Sequence, residues 1–223
     1  MKKIEAVIFD LDGVITDTAE YHYLAWKQLG EELGIPFDRE FNETLKGVSR
    51  MASLERILEL GSQQNDFTAC EKEALATKKN SHYVELISNI TPADILPGIE
   101  QLLKHLRAAG YKVAMASASK NAFTVTKSLG LTSYFDHIVD AATVANSKPN
   151  PEVFLKAAAA LGVAPAVCIG IEDAAAGVAA INDAGMFSIA IGTDAGLNHA
   201  RIVLDSTEKL TIDVIKSVSC NPV

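Results

Sequence analysis

The sequence is poor in the features that mark membrane proteins and disulfide-bonded proteins. No stretch approaches the roughly 20 consecutive apolar residues of a membrane-spanning helix, so we expect no membrane partner. The three cysteines, Cys70, Cys168 and Cys220, are odd in number, widely spaced and without metal-ligand spacing. They are typical of reduced thiols in a reducing compartment, and we expect a cytoplasmic protein.

Positive charge is scarce as well. The chain has 20 Lys and Arg residues against 28 Asp and Glu residues, a formal net charge of -8 at pH 7. Nucleic acids and acidic lipid surfaces attract clusters of Lys and Arg, so this balance argues against both as partners. A small anionic substrate is still possible, because a few Lys or Arg residues at one site can outweigh the negative net charge there.

The apolar content is sufficient for one sizeable core and a small accessory domain, since 48% of the 223 residues are hydrophobic. Residues 4–9 form a short β-branched and aromatic run that predicts a buried strand. From residue 18 to residue 89 the patterns are helical only, with helices predicted over 21–33, 51–60 and 69–87. Beyond residue 92, predicted helices over 98–109, 122–129, 151–161 and 174–184 alternate with predicted strands over 111–116, 137–140, 167–171 and 187–191.

This alternation predicts an α/β fold with a parallel sheet that is covered on both faces. The first strand belongs to that sheet, because one strand cannot bury both of its faces and the helical block offers it no partner. We therefore predict a core domain of residues 1–17 and 90–223, with an all-helical domain of residues 18–89 inserted into it. The two connections, near residues 16–18 and 90–92, could act as hinges.

Four polar clusters fall after predicted strands or at the start of a later helix, where open α/β sheets bind ligands. They are Asp10-Leu11-Asp12-Gly13, Ser117-Ala118-Ser119-Lys120-Asn121, Ser147-Lys148-Pro149 and Glu172-Asp173. The four carboxylates would repel one another without a cation, and carboxylate oxygens suit Mg²⁺, so a divalent metal is implied. The metal and Lys148 would offset the charge of a phosphate, to which Ser117 could donate a hydrogen bond.

Asp10 and Asp12 are two residues apart at the end of a strand. Their side chains therefore point to the same side and can flank one reacting phosphorus atom. One carboxylate could attack phosphorus while the other moves a proton.

Each cluster also has a purely structural interpretation. An Asp-x-Asp-Gly sequence is often a turn or a helix cap, and Glu172 with Asp173 could cap the helix that follows. Lys148 could be a solvated lysine ahead of a proline in a first helical turn. Residues 117–121 could be a polar turn. The functional interpretation rests on co-occurrence, because all four clusters fall at the same predicted edge of one sheet.

As a set, these motifs resemble those of the haloacid dehalogenase superfamily over the whole predicted core. The resemblance implies a Rossmann-like core with a small inserted helical cap domain. It implies that Asp10 is the nucleophile that becomes an aspartyl phosphate and that Asp12 is the general acid/base. Mg²⁺ would be the cofactor, held by Asp10, Asp12, Glu172 and Asp173.

Within the superfamily the resemblance is closer to the β-phosphoglucomutases, through residues 12–19, 45–50, 117–121 and 171–173. It implies a set of residues that bind the sugar phosphate. In the helical domain these are Thr18 at the hinge, His22 as a residue that helps position Asp12, and Lys46, Gly47, Arg50, Ser53 and Lys79. In the core domain they are Ser117, Ala118, Ser119, Asn121 and Lys148. Taken alone, residues 45–50 could equally be a solvated turn.

The resemblance thus implies a mutase that acts on small sugar phosphates. A monomer is the default expectation, because the cap itself would cover the site. The mutase would interconvert β-glucose 1-phosphate and glucose 6-phosphate through β-glucose 1,6-bisphosphate, with cap closure excluding water. Two alternatives stay open. One is a sugar-phosphate phosphatase on the same fold, in which water takes the phosphate from Asp10, and the other is a non-catalytic phosphosugar-binding protein.

Overall fold

The computed structural model describes residues 3–45 and 47–220. The chain divides into two compact units, Met1–Asp17 with Ile90–Val223 and Thr18–Asn89, here named the α/β unit and the helical unit. Within the described residues, no helix combines the length and the apolar character needed to cross a membrane.

The described residues of the α/β unit form a six-stranded parallel sheet. Its strands are β1 (Ala6–Phe9), β2 (Lys112–Met115), β3 (His137–Ile138), β4 (Cys168–Glu172), β5 (Phe187–Ile191) and β6 (Ile202–Leu204). Their order in the sheet is β3-β2-β1-β4-β5-β6. Strands β2 and β3 lie on one side of β1, and the chain then crosses over to add β4, β5 and β6 on the other side. Open α/β sheets bind ligands beside such a reversal of strand order.

The central strand β1 is buried along its whole length. A continuous apolar run is what a parallel strand with neighbours on both edges requires. Phe9, its last residue, lies opposite Met115 on β2 and Ile171 on β4. Asp10 and Glu172 therefore come next in register, side by side at the carboxyl edge of the sheet.

The helical unit contains α1 (Ala19–Leu33), α2 (Arg39–Glu43), α3 (Arg50–Leu60) and α4 (Ala69–Leu86) among its described residues. Helix α1 ends at Gly34, whose φ of 68° is the left-handed conformation common after helices. Helix α4 begins with a capping box between Thr68 and Glu71. Helices α1 and α4 pack against each other along an apolar core that includes Trp26 and Leu54.

The remaining helices are α5 (Ile99–Ala108), α6 (Ala122–Ser128), α7 (Glu152–Leu161), α8 (Ala175–Asp183) and α9 (Ile212–Cys220). Helix α7 packs against β1, β2 and β3, and α8 packs against β4 and β5. The buried residues of α7 recur every three or four positions, as expected of a helix with one face on a sheet. Because α7 follows β3 and leads back to the parallel strand β4, it begins on the carboxyl side of the sheet.

The α/β fold with a parallel sheet, predicted from the alternating patterns, is confirmed. Three elements had no prediction: α2, β6 and α9. Helix α2 has five residues and β6 has three, too few to show a hydrophobic period. Helix α9 does show a helical spacing in the sequence, because the apolar residues Ile215 and Val218 are three positions apart. Both are buried in the structure.

Candidate active site

Asp10 lies directly after β1 at the carboxyl edge of the sheet. Its backbone N–H donates to the carbonyl of Ile171 at 2.9 Å, and Ala116 donates to the carbonyl of Phe9 at 2.8 Å. The hydrogen bonds of the sheet thus continue to Asp10 and hold its backbone in place. The residue is only 5% exposed, so its carboxylate needs charged or hydrogen-bonding partners.

Lys148 supplies the main positive charge at this site. Its Nζ donates to Oδ1 of Asp10 at 2.7 Å and to Oε1 of Glu172 at 2.5 Å. Lys148 is buried, so the interpretation as a solvated lysine is wrong. Burial lowers the pKa of Lys148, but the two carboxylates outweigh burial and raise this pKa above its ordinary value. Lys148 is therefore a permanent cation.

Glu172 uses both of its carboxylate oxygens. Oε1 accepts from Lys148, while Oε2 accepts from the backbone N–H groups of Asp173 at 2.8 Å and Ala174 at 2.9 Å. The capping interpretation is therefore correct in part, because the carboxylate bonds the backbone just ahead of α8. Gly177 lies so close that a Cβ at this position would overlap the Glu172 carboxylate.

Three carboxylates are close enough to share one cation. Within the described residues, one oxygen from each of Asp10, Glu172 and Asp173 lies within 4.8 Å of the others. Three carboxylates beside the ammonium of Lys148 leave an excess of negative charge. Every atom of the three carboxylates that could bind the cation is an oxygen. This donor set fits a divalent cation that prefers oxygen ligands. Asp12 is not part of this group, and its place in a metal site stays a prediction.

The loop that carries Asp12 approaches Asp173 closely. Gly13 has a φ of 72°, and its N–H donates to the carbonyl of Thr16 at 2.8 Å. A Cβ at Gly13 would overlap the Asp173 carboxylate, so only glycine permits both the turn and the close approach. The motif from Asp10 to Gly13 is thus a turn, as the structural interpretation held, and it also brings two predicted site segments together.

The cluster after β2 forms two successive side-chain turns. Oγ of Ser117 accepts from the N–H of Ser119 at 3.0 Å, and Oγ of Ser119 accepts from the N–H of Asn121 at 3.2 Å. Ser117 is buried, Ala118 lies between the two serines, and Asn121 directly precedes α6. The polar turn follows the strand next to β1, on the edge of the sheet that carries Asp10.

Burial is the largest influence on the acidity of Asp10. Desolvation raises its pKa, Lys148 lowers it and the Glu172 carboxylate raises it again, with a net result of about 6. A carboxylate with a raised pKa is more basic than an exposed one and is a candidate for a functional role.

A second buried lysine organises the helical unit. Nζ of Lys79 lies 2.8 Å from Nδ1 of His22, 4.5 Å from the ring centroid of Trp26 and 4.9 Å from that of Tyr83. The rings of His22 and Tyr83 stack with centroids 4.1 Å apart. Burial, followed by the charges of Lys79 and Arg50, holds the pKa of His22 well below its usual range. The imidazole is therefore neutral, and Nδ1 accepts from the ammonium.

The other residues predicted to bind the sugar phosphate are spread over the helical unit. Thr18 is buried ahead of α1, and its Oγ1 has no hydrogen-bond partner among the described residues. Gly47 has a φ of 70°, Arg50 is the first residue of α3, and Ser53 is buried in the next turn. Lys46 lies outside the described residues. The roles of these residues stay predictions.

Comparison with known proteins places the chain in a family. The family model for haloacid dehalogenase-like hydrolase matches residues 4–185. The chain belongs to this family. A family relative, the β-phosphoglucomutase of Bacillus subtilis, is 49% identical over 212 residues, which cover 95% of this chain and 94% of the relative. A crystal structure of β-phosphoglucomutase from Clostridium difficile is similar, with a TM-score of 0.96, 52% identity and 97% of each chain covered.

A phosphatase is similar at lower identity. The phosphorylated carbohydrates phosphatase of Thermotoga maritima is 29% identical over 205 residues, which cover 91% of this chain and 91% of that protein. The family membership expected from the motifs is confirmed.

Sequence reasoning missed four residues that shape these two sites. Phe154 lies 5.1 Å below Nζ of Lys148, Gly177 abuts Glu172, and Trp26 and Tyr83 flank Lys79. Two of them carry a readable signal. Tyr83 follows Lys79 by four residues and so shares its helix face, and a glycine within a helix, as at position 177, often marks a close approach.

Proposed function

We propose that this protein is a β-phosphoglucomutase. It interconverts β-glucose 1-phosphate and β-glucose 6-phosphate through a phosphorylated aspartate and β-glucose 1,6-bisphosphate. The observation that carries the proposal is Asp10, a buried carboxylate bonded to Lys148 beside a cluster of acids at the reversal of strand order. Similarity over nearly the whole chain to two β-phosphoglucomutases supports the choice of substrate. In this proposal the enzyme is a cytoplasmic monomer that acts on free sugar phosphates.

Asp10 is the proposed nucleophile. Its carboxylate oxygen attacks the phosphorus of a sugar phosphate, the bond from phosphorus to the sugar oxygen breaks, and an aspartyl phosphate forms. In the next half-reaction a sugar hydroxyl takes the phosphoryl group and regenerates the carboxylate. Lys148, a fixed cation 2.7 Å from Asp10, offsets the charge that develops on the phosphoryl oxygens.

Asp12 is the proposed general acid and base. It takes the proton from the attacking sugar hydroxyl and returns a proton to the leaving oxygen in the reverse step. The turn at Gly13 holds its loop against Asp173. The turn after β2, with Ser117, Ala118, Ser119 and Asn121, supplies hydrogen bonds to the phosphate.

The proposed cofactor is Mg²⁺. Asp10, Glu172 and Asp173 would hold it, together with Asp12, and their oxygen donors and excess negative charge fit that ion. When bound, Mg²⁺ supplies positive charge that reduces the repulsion between the carboxylates and an incoming phosphate.

The helical unit is proposed to bind the non-reacting end of the sugar phosphate. Burial is the main cause of the lowered pKa of His22, and the charges of Lys79 and Arg50 lower it further, so two cations act on this ring. The planar guanidinium of Arg50 can bind a phosphate through two parallel hydrogen bonds. The other proposed contacts in this unit are Thr18, His22, Lys46, Gly47 and Ser53.

The proposal is tested by following β-glucose 1-phosphate by ³¹P NMR with Mg²⁺ and a trace of glucose 1,6-bisphosphate. We expect the substrate signal to be replaced by glucose 6-phosphate with little inorganic phosphate. An Asp10→Asn variant serves as the control and should leave the substrate unchanged. Dominant release of inorganic phosphate would overturn the mutase proposal.

The second candidate is a sugar-phosphate phosphatase. The similarity to a phosphorylated carbohydrates phosphatase favours it, and Asp10 would form the same aspartyl phosphate. The two functions differ only in whether water or a sugar hydroxyl takes the phosphate. The same NMR experiment therefore separates them.

A further inference from the structure

The segment that carries Lys148 is unusual because Lys148 is its only buried residue. Ala145, Asn146, Pro149 and Asn150 are all exposed, whereas Lys148 reaches into the interior. An exposed segment is not held by packing, so its conformation depends on hydrogen bonds. The position of the Lys148 ammonium therefore depends on whatever holds the backbone on either side of it.

Glu152, the first residue of α7, bonds the backbone on the amino-terminal side of Lys148. Its Oε1 accepts from the N–H of Ala145 at 2.9 Å, and its Oε2 accepts from the N–H of Asn146 at 2.9 Å. Oε2 also accepts from Nδ2 of Asn146 at 3.0 Å. One side chain thus holds two successive peptide groups that lie two and three residues before Lys148.

The carboxyl-terminal side of Lys148 is tied to the same residue. Oδ1 of Asn150 accepts from the N–H of Glu152 at 3.0 Å, and Glu152 forms an ion pair with Lys156 at 3.1 Å. Nζ of Lys156 in turn donates to the carbonyl of Thr143, ahead of the segment. Both ends of the exposed segment therefore converge on Glu152.

Helix α7 gives Glu152 a rigid base. Phe154, two residues further on, is fully buried, and its ring lies 5.1 Å from Nζ of Lys148. The same first turn of α7 therefore contacts the lysine directly and holds the backbone that carries it.

We propose that Glu152 is a positioning residue for Lys148, acting by holding residues 145–150 so that the ammonium meets the phosphate on Asp10. The inference rests on the proposed function, since it assigns Glu152 a part in phosphoryl transfer. Glu152 itself touches neither Asp10 nor the reacting atoms in this arrangement. Its effect passes through the backbone of the segment.

The ionised form of Glu152 is the relevant one. Hydrogen bonds from the N–H groups of Ala145 and Asn146 lower the pKa of Glu152 to about 2. The side chain is therefore a carboxylate at any working pH. Glu152→Gln keeps the size of the side chain but replaces one strong acceptor oxygen by a donor NH₂ group, which cannot accept from a peptide N–H.

The matched control is Glu100→Gln. Glu100 also lies in the first turn of a helix, α5, and forms an ion pair at the same spacing, with Lys104 at 2.7 Å. Both changes remove a first-turn carboxylate and an i,i+4 ion pair, so the control accounts for the part of any loss that these two features cause. Only Glu152→Gln releases the segment that carries Lys148.

The test measures the affinity of the full-length protein for beryllium fluoride, a mimic of the phosphoryl group on Asp10, by ¹⁹F NMR with Mg²⁺. We expect Glu152→Gln to weaken binding about tenfold, Glu100→Gln to leave it within about twofold, and Glu152→Asp, which keeps the carboxylate, to recover part of the loss. Hydrogen exchange should quicken at the amides of Ala145 and Asn146 in Glu152→Gln, to a smaller extent in Glu152→Asp, and not at all in Glu100→Gln.

The possible failures are distinguishable. The proposed function is wrong if the unchanged protein binds no beryllium fluoride, or if Asp10→Asn binds it equally well. The positioning role of Glu152 is then overturned too. If the unchanged protein binds but Glu152→Gln matches Glu100→Gln, only the positioning role is overturned. If Glu152→Gln fails to fold, Glu152→Asp takes its place. The positioning role is then overturned if Glu152→Asp exchanges faster at the two amides but binds beryllium fluoride as tightly as Glu100→Gln does.

Discussion

Two buried lysines, one in each unit, are stabilised in opposite ways. Lys148 in the α/β unit donates to two carboxylates, those of Asp10 and Glu172. Lys79 in the helical unit contacts the neutral ring of His22 and the faces of Trp26 and Tyr83. Both lysines are almost inaccessible to solvent.

The difference predicts what each site attracts. The surroundings of Lys148 carry more carboxylates than cations, so this site favours a divalent cation and then a phosphate. Burial, followed by the charges of Lys79 and Arg50, lowers the pKa of His22, so the ring stays neutral between cations, and an anion is the proposed ligand there.

The largest effect is expected on catalysis at the α/β site. Asp10→Ala removes the proposed nucleophile, and turnover should fall by at least about 10⁴-fold, since no other group can form the phosphoenzyme. Circular dichroism should show an unchanged fold. The matched change at the other site, Lys79→Met, should retain measurable turnover with a raised KM. Substantial residual turnover in Asp10→Ala would contradict the phosphoenzyme mechanism.

The next effect separates the two lysines by stability. In EDTA, Lys148→Ala should lower the free energy of unfolding by about 3–5 kcal/mol, because it leaves two buried carboxylates without their cation. Lys79→Met keeps an apolar chain between two aromatic rings and should cost only about 1–2 kcal/mol. Urea denaturation measures both. Equal losses would show that the carboxylates around Lys148 are not the source of the difference.

Metal binding should stabilise the α/β site alone. At about 100 times its Kd, Mg²⁺ should add about 2.7 kcal/mol to the free energy of unfolding. Asp173→Asn should abolish most of this gain, because Asp173 is one of the three clustered carboxylates. The exposed acid Glu208 is the control, and Glu208→Gln should respond to Mg²⁺ like the unchanged protein. Thermal unfolding at several Mg²⁺ concentrations measures the gain, and an undiminished gain in Asp173→Asn would exclude this residue as a ligand.

The last comparison is a pair of opposite pH dependences in the metal-free protein. The pKa of Asp10 is raised from 3.8 to about 6, so the folded state holds a proton that the unfolded state has lost between these values. Its contribution to the free energy of unfolding therefore falls as pH rises from about 4 to 6. The pKa of His22 is lowered, so the unfolded state binds the proton first, and this contribution falls as pH drops below about 6.5.

Urea denaturation in EDTA between pH 4 and 7 tests both slopes. Asp10→Asn should remove the fall in the free energy of unfolding that occurs as the pH rises. His22→Asn should remove the fall that occurs as the pH drops. The exposed His105 provides the control, and His105→Asn should leave both slopes in place. A pH profile unaltered by His22→Asn would mean that this imidazole is not held neutral by its surroundings.

Most of the α/β site could be predicted from local pattern. The apolar runs before Asp10 and before Glu172 both predict a buried parallel strand, and parallel strands of one sheet align their carboxyl ends. Three elements had no prediction: α2 and β6, whose few residues show no period, and α9, whose helical spacing was overlooked. The short capping and turn motifs were ambiguous, because a carboxylate that caps a helix and one that binds a cation look alike in sequence.

Glu172 illustrates that ambiguity, since it bonds the backbone ahead of α8 and also contacts Lys148. The aromatic rings around Lys79 were missed for a related reason. Trp26 and Tyr83 belong to different helices, and the apolar period of each helix accounts for them as core residues. Nothing local marks Trp26 as the neighbour of a charge, whereas Tyr83 follows Lys79 by four residues on one helix and could have been found.

The fold class, the strand that carries Asp10 and the kinds of side chain at the edge of the sheet can all be predicted from the amino-acid sequence. These features follow from hydrophobic periods and from the order of strands and helices along the chain. Which charged groups contact one another depends on the folding of distant segments. Lys148 and Asp10 are 138 residues apart, and Lys79 and His22 are 57 apart. The pKa of each group depends on such distant neighbours and on burial, neither of which is a property of the local sequence.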